Sequence, residues 1–139
     1  MFHFSCLFSS FLDEGDDIFS PNNDDDKAYP ENLKVTSVYT VTPRSCLKTL
    51  GSWAVHESHI CASEGISGAC FGDVGGPLIH PRASSLGYGQ IGIVSTILSS
   101  SCVSEGVPQL FTDVAKFGDW IDQTICKFSK SKPKSCSKT

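Results

Sequence analysis

The stretch Cys70-Phe71-Gly72-Asp73-Val74-Gly75-Gly76-Pro77-Leu78-Ile79-His80 decides how this chain is read. Its glycines and proline mark a tight turn, with backbone angles that glycine adopts at little steric cost. A glycine-rich turn of this shape usually presents something reactive at its centre. Here the centre is Val74, whose two methyl groups hold no lone pair and no exchangeable proton.

Outward from the turn, short β-type runs recur. Leu33–Thr42 alternates Val35, Ser37, Tyr39 and Val41 against Thr36, Val38, Thr40 and Thr42, the period of a strand. Ser58–Ser63 and Pro108–Val114 read as strands. So do Gly76–Pro81, which holds Pro77 and Pro81, and Gln90–Thr96, with Ile91, Ile93 and Ser95 on one face. The period then changes. Val114, Phe117, Trp120, Ile121 and Ile125 fall at helical spacing, with Asp113 placed to cap. The expected plan is several strands followed by one terminal helix that packs through an aromatic face.

At 139 residues and 40% hydrophobic content the chain suffices for one modest domain with a buried core. A net charge of −4 argues against nucleic acid as the main partner, and no apolar run is long enough for a transmembrane helix. The charge is uneven. Asp13, Glu14, Asp16, Asp17 and Asp24-Asp25-Asp26 crowd the first third, and Lys127, Lys130, Lys132, Lys134 and Lys138 crowd the tail. Three segments follow: an apolar start and acidic flexible stretch over 1–32, a folded unit over 33–126, and a basic flexible tail over 127–139. Asp-Asp-Asp-Lys at 24–27 is similar to a processing tag, but a cut after Lys27 would expose Ala28-Tyr29-Pro30, so a hydrated loop is the simpler reading. The opening Met1–Leu12 has the length of a signal-peptide apolar core without basic residues ahead of it. It is either such a leader or part of the folded body.

Seven cysteines without a Cys-x-x-Cys pair point to disulfides in an oxidising, secretory setting rather than to zinc. The odd number leaves one thiol over. His56 and His59 stand near Cys61, yet no metal site is expected there, and no cofactor is implied.

Three ordered blocks, "CASEGISGACFGDVGGPLIHP", "GQIGIVSTILSSSC" and "GVPQLFTDVAKFGDWI", resemble the C-terminal barrel of trypsin-like (chymotrypsin-fold) serine proteases. The resemblance covers roughly residues 33–126. It implies an all-β fold, a single, partial antiparallel β-barrel with one C-terminal α-helix. It also implies the disulfides Cys46–Cys61 and Cys70–Cys102, leaving Cys6, Cys126 and Cys136 unassigned. Cys6 matches a cysteine that tethers this barrel to an upstream segment in some members.

The resemblance further implies a hydroxyl nucleophile at position 74, an imidazole base and an orienting carboxylate. Position 74 is Val74. None of His3, His56, His59 and His80 stands in the family's Ala-His-Cys context, and the family's His and Asp belong to an N-terminal barrel that this chain lacks. Ser67 and Ser99–Ser101 do not stand on the turn. Gly72 and Asp73 match oxyanion-turn residues, Asp73 being the partner of a newly cut N-terminus in active members. The pocket positions match Gly68 at the floor, Ser95 on the wall, and Ile97 and Gln109 where the family keeps glycines. Two side chains are therefore expected to fill the space a substrate side chain would enter. The expectation is a secreted, catalytically inactive protease homologue acting on a protein partner, either an active protease or an N-terminal barrel on another chain, with no nucleic acid and no membrane. The alternative is a truncated fragment or isoform of a family member with no independent activity. In that case an apolar face stands uncovered, and the family's first strand is missing, with Phe2–Phe8 placed to fill part of the gap.

Overall fold

The computed structural model describes residues 3–8, 34–63, 68–70, 72–81, 87–98 and 105–138. The acidic stretch 13–26, the Asp-Asp-Asp-Lys segment, Ser67, Phe71, Ser99–Ser101 and Cys102 lie outside the described residues. Six strands, β1 (His3–Phe8), β2 (Lys34–Val41), β3 (His59–Ser63), β4 (Pro77–His80), β5 (Gly89–Thr96) and β6 (Gln109–Asp113), form an antiparallel closed barrel in the order β1-β2-β3-β6-β5-β4. Antiparallel closure removes the exposed edges of the sheet.

The opening apolar run belongs to this barrel. β1 pairs along its whole length with β2, from His3 opposite Tyr39 to Phe8 opposite Lys34, and pairs Ser5 and Cys6 with Ile79 and Leu78 of β4. The folded unit is therefore wider than residues 33–126. It also extends past residue 126, because Cys126 is bonded to Cys136 and pins the basic tail, which ends in a 3-10 turn at Lys134–Lys138.

Each strand from β2 to β6 sends one fully buried residue inward: Val38, Ala62, Leu78, Val94 and Phe111, joined by Ala69. On β2 the inward face is Thr36 and Val38, so Val35 is left exposed. On β5 it is Gly92 and Val94, while Ile91, Ile93 and Ser95 share the opposite face, as their spacing implies, and are half-buried. The inward face is tight at Gly92: an added Cβ would stand 3.1 Å from Leu78 Cδ2 and 3.3 Å from Phe111 Cβ, so these neighbours would have to give way. Gly92→Ala is expected to cost about 1–2 kcal/mol through overpacking. An unaltered urea midpoint would show that the neighbouring strands yield.

A second cluster lies outside the barrel wall. The helix α1 (Pro43–Leu50) rests on β3 and β6 through Cys46, which is bonded to Cys61 and packs with Leu110. Thr42 caps α1 by accepting from the Ser45 N–H at 3.2 Å, with Pro43 at the first helical position. The disulfide restricts the unfolded chain by roughly 3 kcal/mol on the loop-entropy account.

The terminal helix α2 (Gly118–Phe128) follows a 3-10 turn over Val114–Phe117. Asp113 caps that turn, accepting from the Ala115 N–H, rather than capping α2. The expected packing through an aromatic face does not occur. No residue of α2 is fully buried, and Trp120 is 66% and Phe128 71% exposed. The helical period was real, but the apolar side it forms has no counterpart on the described part of the barrel.

Candidate functional site: a clamped turn and a filled cleft

The turn that runs into β4 is fixed from two sides. Asp73, 3% exposed, accepts the Cys70 N–H at 2.8 Å through Oδ2. Its own N–H donates to the Cys70 carbonyl at 3.0 Å, and Gly76 N–H donates to the Asp73 carbonyl at 2.8 Å. Gly72 and Gly75 hold φ of 97° and 92°, in the left-handed region where a side chain is strained. β5 completes the clamp, as Gly75 N–H donates to the Val94 carbonyl and Val94 N–H to the Gly76 carbonyl, both at 2.9 Å. A rigid turn thus presents position 74 outward, and Val74 is 59% exposed. An isopropyl group there has nothing to donate, accept or attack with.

Beside the turn, Gln109 at the start of β6 folds across to the segment 68–70. Its Oε1 accepts the Ala69 N–H at 2.8 Å, and its Nε2 donates to the Ala69 carbonyl at 2.6 Å. The carboxamide thereby satisfies both backbone groups of one buried residue. It lies directly over Gly68, where an added Cβ would stand 2.6 Å from Oε1. Gly68, Ala69 and Cys70 are all buried beneath it. Gly68 and Gln109, far apart in the chain, are therefore one contact, and the space above Gly68 is occupied by the protein itself.

Ser95 lies near the end of β5 and Ile97 just beyond it. The β5–β6 register shifts between Val94 and Thr96, a bulge that re-aims the strand as it leaves the barrel. Ser95 is half-buried, with its Oγ 3.5 Å from Thr96 Oγ1. Ile97 is half-buried and packs on the inner cluster that includes Ala69. Ala69 itself was not singled out by sequence reasoning. Its only signal was a small residue between the matched floor position and Cys70.

His56 and His59 bond within their own turn. His56 N–H donates to His59 Nδ1 at 3.1 Å, and His56 Nδ1 accepts the Ser58 N–H at 3.2 Å. These rings cap their own turn, edge to face at 6.4 Å. Among the described residues no three His, Cys, Asp or Glu side chains gather as metal ligands. Cys70 is disulfide-bonded, and Cys102, the partner the resemblance assigns to it, lies outside the described residues.

Comparison with known proteins agrees with this geometry. Residues 18–121 match the Trypsin family model. Phenoloxidase-activating factor 1 of Holotrichia diomphalia is 37% identical over 92 residues, which are 64% of this chain and 24% of that protein. Chymotrypsin-like elastase family member 3B of Macaca mulatta is 33% identical over 99 residues, 69% of this chain and 37% of its own length. Proproteinase E of Bos taurus is 39% identical over 72 residues, 51% of this chain and 28% of its own. The chain thus matches about a quarter to somewhat over a third of the length of these relatives. On its closed antiparallel barrel, its clamped glycine turn and this match, the chain belongs to the trypsin family of serine proteases.

Proposed function

We propose that this chain is a catalytically inactive, secreted member of the trypsin family that works by binding protein, in the control of proteolysis. One observation carries the reading: an exposed Val74 at the tip of the turn, beside Gly68 and Ala69, which the Gln109 carboxamide covers and hydrogen-bonds. Peptide hydrolysis by this family's route needs an activated nucleophile, and loss of the nucleophile alone removes most of the rate. A substrate side chain would also have to displace Gln109 from two buried hydrogen bonds. The disulfides support an oxidising compartment. Among the described residues no helix is long and apolar enough to cross a membrane. The name of the Holotrichia relative, Phenoloxidase-activating factor 1, supports a place beside an activation step.

The test is direct. The purified chain is expected to resist labelling by a fluorophosphonate probe and to leave casein intact. Val74→Ser is expected to do the same, because a hydroxyl without a base or an open cleft gains nothing. Casein cleavage by either protein would sink the reading.

A second reading is favoured by the uncovered side of α2. Phe117, Trp120, Ile125 and Phe128 are exposed together, more apolar surface than a free-standing helix usually leaves to water. On this reading the chain is part of a larger assembly whose other portion covers α2. Strong binding of a hydrophobic dye by the native protein would favour it, and absence of dye binding would favour the free-standing homologue.

A further inference from the structure

The disulfide Cys126–Cys136 closes a loop unlike the rest of the molecule. The nine residues between the two cysteines hold Lys127, Lys130, Lys132 and Lys134 and no acidic residue. All four lysines are exposed, as are Phe128, Ser131, Pro133 and Ser135. Lys127 Nζ lies over the Phe128 ring, 5.0 Å from its centre. The two cysteine Cα atoms stand 5.4 Å apart, so the segment doubles back, and the 3-10 turn Lys134–Lys138 returns to lie against α2. Four of the chain's eleven basic residues thus share one small closed loop, although the chain as a whole carries a net charge of −4.

We propose that this loop is a binding site for a linear sulfated polysaccharide. The charge is local, so the partner must concentrate its anions along a narrow chain. A broad anionic surface, whether a duplex or a bilayer, would reach beyond this one loop, and the adjoining α2 carries the exposed acidic residues Asp119 and Asp122. The loop contains no arginine, and lysine contacts anions as a point charge without demanding the planar, two-point geometry of a guanidinium. That suits sulfates spaced along a flexible polymer. The disulfide holds the cations together before binding and lowers the entropic cost of ordering them. It also places the loop in an oxidising compartment, where the abundant polyanions are sulfated sugars rather than nucleic acid. The site is independent of the lost peptidase chemistry and stands or falls without it.

Heparin is the probe, with the full 139-residue chain and affinity measured across a series of sodium chloride concentrations. Four contacts predict a slope of log Kd on log salt of about 3, from roughly 0.7 per cation on a single-chain polyanion. Lys130→Gln with Lys132→Gln is expected to halve that slope and weaken binding at least fivefold at physiological salt. Lys48→Gln, on α1, is expected to leave both unchanged. Cys126→Ser with Cys136→Ser keeps every charge and is expected to keep the slope while weakening binding several-fold, with far-ultraviolet circular dichroism confirming that the barrel stays folded. Heparin is expected to bind at least tenfold more tightly than duplex DNA or phosphatidylserine vesicles at equal anion concentration. The proposal is overturned by undiminished heparin affinity in the double-lysine or double-cysteine variant, or by tighter binding to DNA or vesicles.

Discussion

Gln109→Leu is expected to lower the stability of this protein by about 2–4 kcal/mol. Leucine has nearly the volume of glutamine, so little cavity forms. What is lost is the pair of hydrogen bonds to Ala69, a residue with no exposed surface, whose N–H and carbonyl are left without these partners. Each buried polar group stripped of its partner costs roughly 1–3 kcal/mol. In a domain of this size the thermal midpoint should fall by roughly 10 °C, and the urea midpoint should fall with an unchanged slope. Gln109→Gly empties the space above Gly68 and adds a cavity to the same loss. It is still expected to give no cleavage of casein, since Val74 remains. A Gln109→Leu protein as stable as its parent would mean that the carboxamide does not hold Ala69 in solution.

Removing residues 1–8 should have a larger effect still. Among the described residues β1 alone bridges β2 and β4, so its loss opens the barrel along two edges at once. Val38 and Leu78, fully buried on those two strands, flank the gap. Open edges template pairing with other chains, and an open barrel admits water to its core. The shortened protein is expected to lose its cooperative thermal transition, to bind hydrophobic dye and to self-associate in size-exclusion chromatography. A sharp transition within a few degrees of the parent would show that β1 is dispensable and that five strands close by themselves.

Much of this was legible in the residues, for identifiable reasons. β2 through β6 announce themselves because alternation and β-branched content are local properties of the chain. The turn at 72–76 is legible because positive φ restricts residue choice more than any packing preference does. α1 was overlooked, though Thr42-Pro43 is a helix-start signal. β1 has no telling pattern in its own letters; Phe2–Phe8 is placed in the barrel's gap only because the resemblance leaves its first strand missing, and His3–Phe8 does fill it. A run of aromatic and apolar residues becomes a strand only when two open edges exist to receive it, and those edges are made by residues far along the chain. The spacing in β5 puts Ile91, Ile93 and Ser95 on one face, but which face turns inward depends on the close approach of Leu78 and Phe111 to Gly92, which no local pattern displays. At the site, the match to the family located Gln109 but not the use of its amide, which depends on Ala69 lying within reach across 40 positions of sequence. Cys126 and Cys136 carried no pairing information until the tail was seen to return to α2.

Both tryptophans of this protein, Trp53 and Trp120, face water in the folded state. Their native emission should already sit near that of free indole, so unfolding will move it little. A spectroscopist following intrinsic fluorescence would therefore see a protein that looks denatured while its barrel is intact. Contact with another molecule reverses the situation. Anything that covers α2 must cover Trp120, and the emission should shift to the blue without any label attached. The uncovered helix thus makes the molecule a poor reporter of its own stability and a sensitive reporter of its company.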